Sequence, residues 1–218
     1  MEYESIRKEM IKTALQLKEY QLISLCGGNV SVRLPDGNIL ITPSGMDYES
    51  MEPEDICLLS PEGEKIDSPR KPSSDTPALL YIFKHMPSVN AIIHTHQPYA
   101  TAVGLVEDYF EPCLVTQIDA LRGGVNVAPF TISSDENMGV LTVEYAGSSL
   151  AVILKNHGVM AYGPDLLTAL YSCVYLEEAA KTYMTARAVG NVPALPKEMV
   201  EKETRGDVNE WLNYIQSK

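Results

Sequence analysis

The sequence predicts an α/β layered fold with a mixed sheet. Short β-type runs alternate irregularly with helical segments, an early pair of strands is joined by a turn, and further apolar strands follow later in the chain. Such a pattern is typical of layered folds whose sheets contain antiparallel pairs. A chain of 218 residues can bury a sizeable core. We therefore interpret residues 1–218 as one domain, with a loose segment from about residue 190.

The elements of the first half are predicted from helical periodicity and turn signals. Apolar residues recur at helical spacing near the N-terminus, and Gly27-Gly28 interrupts that pattern. The turn signal at residues 35–38 lies between two β-type runs and indicates a hairpin. Thr76 followed by Pro77 is typical of a helix start. The predicted elements are a helix at 6–22, strands at 29–32, 39–42 and 56–59, and a helix that begins at Thr76 and that Pro87 closes.

The elements of the second half are predicted mainly from two buried apolar strands. Residues 89–93 form the first, which ends at His94-Thr95-His96, and a helix is predicted from Tyr99. No element is assigned between that helix and the next strand. The remaining predicted elements are a strand at 150–154 that ends before His157, a pairing partner at 159–161, a long helix from 163–165 to about Arg187, and a short closing helix at 207–218 with Trp211 and Tyr214.

The composition and the N-terminal residues predict a protein that stays in the cytoplasm. The formal net charge of −12 argues against nucleic acid or an anionic membrane surface as the main partner, because both repel an acidic body. No apolar run is long enough to cross a bilayer, and the N-terminus lacks the features of a signal peptide. A small phosphate remains compatible with this charge, since a few backbone N–H groups can bind it locally.

The chain has only four histidines, and two of them form a His-x-His pair at the end of an apolar strand. Residues two apart on a strand point to the same face, so His94 and His96 can converge on one ion. His157 also ends an apolar strand and supplies a third imidazole, as a catalytic zinc site requires. His85 lies inside a predicted helix, where a surface or capping role is expected. Neither the His-Glu-x-x-His motif of zinc proteases nor the nucleobase deaminase signature is present.

Three motifs rich in glycine and serine precede these histidines. They lie at residues 27–31, 42–45 and 72–75. Small residues let the backbone approach an anion, and their N–H and O–H groups can donate to phosphate oxygens. Each motif alone is typical of an ordinary turn. Three of them upstream of a histidine metal site favour a phosphate-binding role.

Taken in order, five motifs resemble those of the class II aldolase family, which includes fuculose-phosphate aldolases and ribulose-phosphate epimerases. The motifs are Gly-Asn-Val-Ser, Thr-Pro-Ser-Gly, Pro-Ser-Ser-Asp, His-Thr-His and Asn-His-Gly, and the resemblance spans about residues 6–187. It implies a three-layer α/β/α fold with a largely antiparallel sheet. It also implies a homotetramer with active sites at the subunit interfaces.

The resemblance further implies a role for each matching residue. His94, His96 and His157 would ligate Zn²⁺, and Asp75 would be an acidic ligand or a base. Zinc would act as a Lewis acid on the charge that develops when a carbon–carbon bond beside a carbonyl is cleaved. The residues that would hold the substrate phosphate are Gly28, Asn29, Ser44, Gly45, Ser73 and Ser74.

Some residues resemble those of the aldolases and others resemble those of the epimerases, and the two enzymes share the retro-aldol step. Asp75 stands where fuculose-phosphate aldolases typically have Glu, and Asp119 stands where the epimerases have an acid–base aspartate. The short chain and Thr42 resemble the aldolases instead. Phe130 replaces a tyrosine that is usual in aldolases, and Tyr214 would serve as the C-terminal tyrosine of either type. We favour the aldolase slightly.

A non-catalytic interaction domain is the alternative of another class. The adducin head domain resembles this fold without being an enzyme, and such relatives have lost the zinc histidines. The complete set of His94, His96 and His157 argues against that alternative.

Overall fold

The computed structural model describes residues 2–204, in which a nine-stranded sheet forms the middle layer. The strands are β1 (Asn29–Arg33), β2 (Ile39–Ile41), β3 (Cys57–Leu59), β4 (Lys65–Asp67), β5 (Ala91–Thr95), β6 (Tyr109–Phe110), β7 (Val125–Ala128), β8 (Ala151–Leu154) and β9 (Gly158–Gly163). Across the sheet they lie in the order β4-β3-β2-β1-β5-β9-β8-β7-β6. Within this sheet, the pair β7–β8 is parallel and the other neighbouring pairs are antiparallel.

Helices cover both faces of this sheet. They are α1 (Glu4–Glu19), α2 (Thr76–His85), α3 (Pro98–Val106), α4 (Val115–Leu121), α5 (Glu136–Tyr145), α6 (Leu166–Arg187) and α7 (Lys197–Glu203). Buried side chains of α1, α3, α4 and α6 pack against one face, and those of α2 and α5 pack against the other. The three-layer α/β/α arrangement with a mixed, largely antiparallel sheet is therefore confirmed.

The central strands are apolar at successive positions, and β8 shows the reason. Ala151 and Ile153 belong to the core on one face, whereas Val152 and Leu154 belong to the core on the other. Successive side chains of a strand point to opposite faces, so a strand covered on both sides must be apolar throughout. The buried strands predicted at 89–93 and 150–154 follow from this rule.

The turn between β8 and β9 brings one histidine back beside β5. Asn156 has φ 62°, in the left-handed region that asparagine tolerates better than most residues. Gly158 follows, and a Cβ atom there would lie 2.1 Å from the carbonyl oxygen of Thr95. Only glycine lets β9 approach β5 this closely, so the Asn-His-Gly motif is required by the backbone as well as by its histidine.

The structure contains several elements that the sequence analysis does not predict. Helix α1 ends at Glu19 rather than at residue 22, because Gln21 takes a left-handed φ of 60°. The unassigned region after α3 contains β6, α4, β7 and α5, which are two to ten residues long. Such short segments carry weak periodicity, so they are difficult to assign from local sequence.

The end of the described chain carries one short helix. Helix α7 lies in the segment predicted to be loose, and the carbonyl of Thr204 accepts a hydrogen bond from the Arg122 guanidinium at 3.3 Å. The closing helix predicted at 207–218, with Trp211 and Tyr214, lies outside the described residues. No helix among residues 2–204 has the length and apolar character needed to span a membrane.

A glycine contact between α2 and α5 provides a test of the packing on one face. A Cβ atom at Gly139 would lie 2.4 Å from the carbonyl oxygen of Ala78. We expect Gly139→Ala to push the helices apart and to lower the free energy of unfolding by about 1–3 kcal/mol in urea denaturation. Gly190→Ala is the control, since nothing lies within 4 Å of a Cβ atom there. Equal stability of the two variants would contradict this packing.

Candidate metal centre and anion pocket

Three histidine side chains meet where β5 ends beside the β8–β9 turn. His94 is in β5, His96 follows the last residue of that strand, and His157 immediately precedes β9. One ring nitrogen from each lies within 4.8 Å of the others. The ring centroids are 4.8 Å apart for His94–His96 and for His94–His157, and 5.3 Å apart for His96–His157. The structure therefore brings together the three histidines predicted to form one site.

Hydrogen bonding assigns the ligating nitrogen of His94. Its Nδ1 lies 2.9 Å from the carbonyl oxygen of Val159, which can only accept. Nδ1 therefore carries the proton, and Nε2 is free to face the centre of the cluster. Nε2 of His96 is 3.1 Å from Nε2 of His94. A backbone carbonyl that orients a ligand imidazole in this way is common at metal sites.

Desolvation keeps the three imidazoles neutral. Burial, together with the positive charges that His157 and His96 would carry, lowers the pKa of His94 to about 3. Burial also lowers the pKa of His96 and of His157, although the negative charge of Asp75 opposes that shift for both. Metal ions bind the neutral form of imidazole. Three neutral nitrogen donors within reach of one another fit a divalent transition metal.

Asp75 lies beside the histidines but outside the group of mutually close ligand atoms. It precedes α2 and is 8% exposed. Its Oδ2 accepts a hydrogen bond from Nδ2 of Asn29 at 2.8 Å, and its Oδ1 accepts one from Oγ of Ser134 at 3.4 Å. Both carboxylate oxygens thus accept a hydrogen bond from the protein, and the group of mutually close ligand atoms consists of the three histidines.

A cavity of about 640 Å³ opens beside the histidine cluster. It is lined by His96, His157 and Asp75. Five of the six residues predicted to hold phosphate also line it, namely Gly28, Ser44, Gly45, Ser73 and Ser74. The structure thus joins the predicted metal site and most of the predicted phosphate site in one pocket.

The serine hydroxyls on the cavity wall are donors that are available to an anion. The backbone N–H groups of Ser44 and Ser73 already donate to the carbonyls of Lys71 and Thr42, at 3.0 and 3.2 Å. The hydroxyl of Ser73 accepts from the N–H of Asp75 at 3.3 Å and keeps its own proton to donate. Ser73 lies just before the N-terminus of α2, where the helix dipole favours negative charge.

Asn29 is placed differently from the other predicted phosphate residues. Its side chain is 1% exposed and donates to Asp75 instead of lining the cavity. Conversely, the cavity wall contains Cys26, Asn156 and residues 130–134, which the sequence analysis did not assign to the site. The Ser133-Ser134-Asp135 stretch before α5 resembles the Ser-Ser-Asp stretch before α2, a similarity that would have identified this loop.

Asp119 and His85 do not line the cavity. Asp119 is on α4, partly buried, and burial raises its pKa, with the charge of Glu203 adding to the shift. Tyr214 lies outside the described residues. His85 is exposed near the end of α2, where its Nδ1 is 2.9 Å from the carbonyl of Tyr81, in agreement with a surface role.

Comparisons with known proteins give matches over most of the chain. The profile of the family described as Class II Aldolase and Adducin N-terminal domain matches residues 8–184. A 5-deoxy-D-ribulose 1-phosphate aldolase of Bacillus thuringiensis serovar kurstaki is 29% identical over 197 residues, which cover 89% of this chain and 92% of that protein.

Two solved structures have a fold similar to that of this chain. One of an L-fuculose 1-phosphate aldolase has TM-score 0.89 and 29% identity, covering 94% of this chain and 97% of that chain. One of an L-fuculose-1-phosphate aldolase from Thermus thermophilus has TM-score 0.75 and 27% identity, covering 85% of this chain and 96% of that chain.

The histidine cluster predicts metal binding that depends on three of the four histidines. We expect metal-free protein dialysed against Zn²⁺ to retain about one ion per chain, and His96→Ala to retain far less, because it removes one of three nitrogen donors. Elemental analysis measures both. His85→Ala is the matched control and should bind like the wild type, since His85 is remote from the cluster. Full metal retention by His96→Ala would contradict the assignment.

Proposed function

Since the chain belongs to the class II aldolase and adducin N-terminal domain family, we propose that it is a zinc-dependent lyase that cleaves a ketose 1-phosphate to dihydroxyacetone phosphate and an aldehyde. The observation that carries this proposal is the combination of three neutral histidines, a carboxylate and a serine-lined cavity at one place. The three relatives described above are all named as aldolases of sugar 1-phosphates, which supports the same substrate class.

Zinc is the metal we propose for the three histidines. Its catalytic sites commonly have three protein ligands and an open position for substrate. His96 is the most exposed of the three histidines and lines the cavity, so the open position would face the substrate. A bound zinc ion supplies a Lewis acid for the negative charge that develops on the ketose oxygens during cleavage.

Asp75 is proposed to move the proton in the retro-aldol step. Cleavage requires that the hydroxyl on the carbon that becomes the aldehyde lose its proton, while the carbon–carbon bond breaks towards the ketose carbonyl. The resulting enediolate then takes up a proton to become dihydroxyacetone phosphate. A carboxylate in the cavity beside the histidines can accept and return such a proton. Asn29 and Ser134 hold that carboxylate in place, so we assign Asn29 to Asp75 rather than to the phosphate.

The phosphate is proposed to bind at the start of α2. The hydroxyls of Ser44, Ser73 and Ser74 would donate to its oxygens, beside Gly28 and Gly45, which also line the cavity. These local donors would overcome the repulsion from the net charge of −12, because hydrogen bonds act at short range whereas distant surface charge is screened by salt.

The epimerase alternative has less support than the aldolase. An epimerase needs a second acid–base group across the pocket, and Asp119 does not line the cavity of a single chain. In the homotetramer that we propose, with active sites at subunit interfaces, Asp119 would reach the site only from a neighbouring subunit. Exposed apolar side chains support such an interface, among them Leu105, Val106, Tyr109 and Val115. The non-catalytic alternative would not require the convergent histidines.

Product identification tests the proposed reaction. We expect the zinc-loaded protein to release dihydroxyacetone phosphate from L-fuculose 1-phosphate or from 5-deoxy-D-ribulose 1-phosphate, detected by a coupled dehydrogenase assay. Asp75→Asn should lower turnover about a hundredfold or more, because an amide cannot accept the proton. Asp119→Asn should keep most of the activity. Interconversion of pentulose 5-phosphates without release of dihydroxyacetone phosphate, abolished by Asp119→Asn, would replace the aldolase by the epimerase.

Ser73→Ala tests the phosphate site. A hydrogen bond to a charged group contributes about 1.5–3 kcal/mol, so its loss should raise KM about tenfold or more while kcat changes little. Steady-state kinetics measure the two constants separately. Ser148→Ala is the matched control, since Ser148 is exposed in the turn between α5 and β8. A large fall in kcat with unchanged KM would show that Ser73 has another role.

A further inference from the structure

Helix α3 begins two residues after His96 without a side-chain cap of its own. Gln97 precedes the helix and makes no capping hydrogen bond. The first N–H groups of a helix have no partner within the helix, so they need acceptors from elsewhere. Glu177 of α6 supplies them: Oε1 accepts from the N–H of Tyr99 and Oε2 from the N–H of Ala100, both at 2.9 Å.

Burying the charged Glu177 side chain at this position has a desolvation cost. Glu177 is 7% exposed, in the layer of α6 that packs against the sheet. A buried carboxylate loses much of its hydration. Because this loss disfavours the charged form, burial raises the pKa of Glu177. Two charge-assisted hydrogen bonds and the positive end of α3 compensate for that loss. A neutral capping side chain at the start of α3 would be enough to stabilise that helix. A carboxylate from α6 also links the start of α3 to α6.

Gln97 makes a second attachment between the same segment and α6. Its Oε1 accepts from the hydroxyl of Thr95 at 2.6 Å, and its Nε2 donates to the carbonyl of Cys173 at 3.2 Å. Gln97 is fully buried. The residues immediately before and after His96 are therefore both tied into this network, which ends on α6.

His96 is the ligand that most needs such support. His94 lies within β5 and is held by the carbonyl of Val159, whereas His96 lies beyond the end of that strand. Among the described residues, the only hydrogen-bond contact of the His96 ring is with His94 itself. Its position is thus set by the backbone of the β5–α3 connection.

We propose that Glu177, together with Gln97, is a positioning residue for the metal centre: by holding the start of α3 against α6, it sets where His96 stands relative to His94 and His157. The inference rests on the proposed function, in which these histidines bind the metal. Neither residue lines the cavity, so both act through His96 and not on the substrate.

The test compares Glu177→Gln with Glu178→Gln, a matched control on the exposed side of the same helix. Glu177→Gln removes the negative charge. It also places an NH₂ group, which is a donor, opposite the backbone N–H groups of Tyr99 and Ala100, which need acceptors. We expect the metal-free variant to bind Zn²⁺ about ten- to a hundredfold more weakly in competition with a chelating dye, as is typical when support of a ligand is lost. The visible spectrum of the Co²⁺-loaded variant should also change, because it reports ligand geometry. The control should match the wild type in both.

Gln97→Met and Glu177→Asp separate positioning from general stability. Gln97→Met keeps the charge of Glu177 but removes the amide contacts, and it should weaken Zn²⁺ binding in the same direction. Glu177→Asp retains a carboxylate and should restore part of the affinity. Should Glu177→Gln not fold, as judged by circular dichroism, Gln97→Met decides alone. Wild-type Zn²⁺ affinity and Co²⁺ spectrum in the folded variants would overturn the inference while leaving the proposed function intact. Failure of the wild type to bind Zn²⁺ would overturn both.

Discussion

The antiparallel pairing of β5 with β9 is the contact on which the site depends. It sets Thr95 opposite Val159 and His94 opposite Met160. The same pairing places the Val159 carbonyl against Nδ1 of His94, which leaves Nε2 free for a metal. Because β9 begins immediately after His157, the turn that enters β9 delivers the third imidazole to the same end of the sheet. A glycine at position 158 is the condition for this approach.

Burial of the sheet determines the electrostatics of the histidines. Helices cover both faces, so the cluster lies at the edge of a dry interior where a charged imidazole is unfavourable. The resulting neutral nitrogens are suited to a metal and unsuited to binding an anion directly. The donors for an anion lie instead on the cavity wall, at the start of α2. The two halves of the pocket therefore differ in chemistry: one presents neutral imidazole nitrogens, and the other presents serine hydroxyls.

Asp75 connects these two halves. It stands at the start of α2, next to the serines, and its negative charge acts on His96 and His157 in the direction that raises their pKa values, against the effect of burial. Its hydrogen bonds to Asn29 and Ser134 come from β1 and from the loop before α5. Two other parts of the chain thus hold the Asp75 carboxylate in the pocket beside the histidines.

Local spacing in the sequence determined which residues share a face and which turns contain small residues. The His94-x-His96 pair, the three glycine- and serine-rich motifs and the alternation of buried strands all follow from the geometry of a strand or turn a few residues long, so they were predictable. Local sequence did not determine that Asn29 and Ser134 would donate hydrogen bonds to Asp75. Nor did it determine that Glu177 would accept hydrogen bonds from the start of the helix after His96. Those contacts join residues 46, 59 and 77 to 78 positions apart. Only the packing of the helices on the sheet decided them, because no local pattern records which distant side chain fills a buried hydrogen-bonding position.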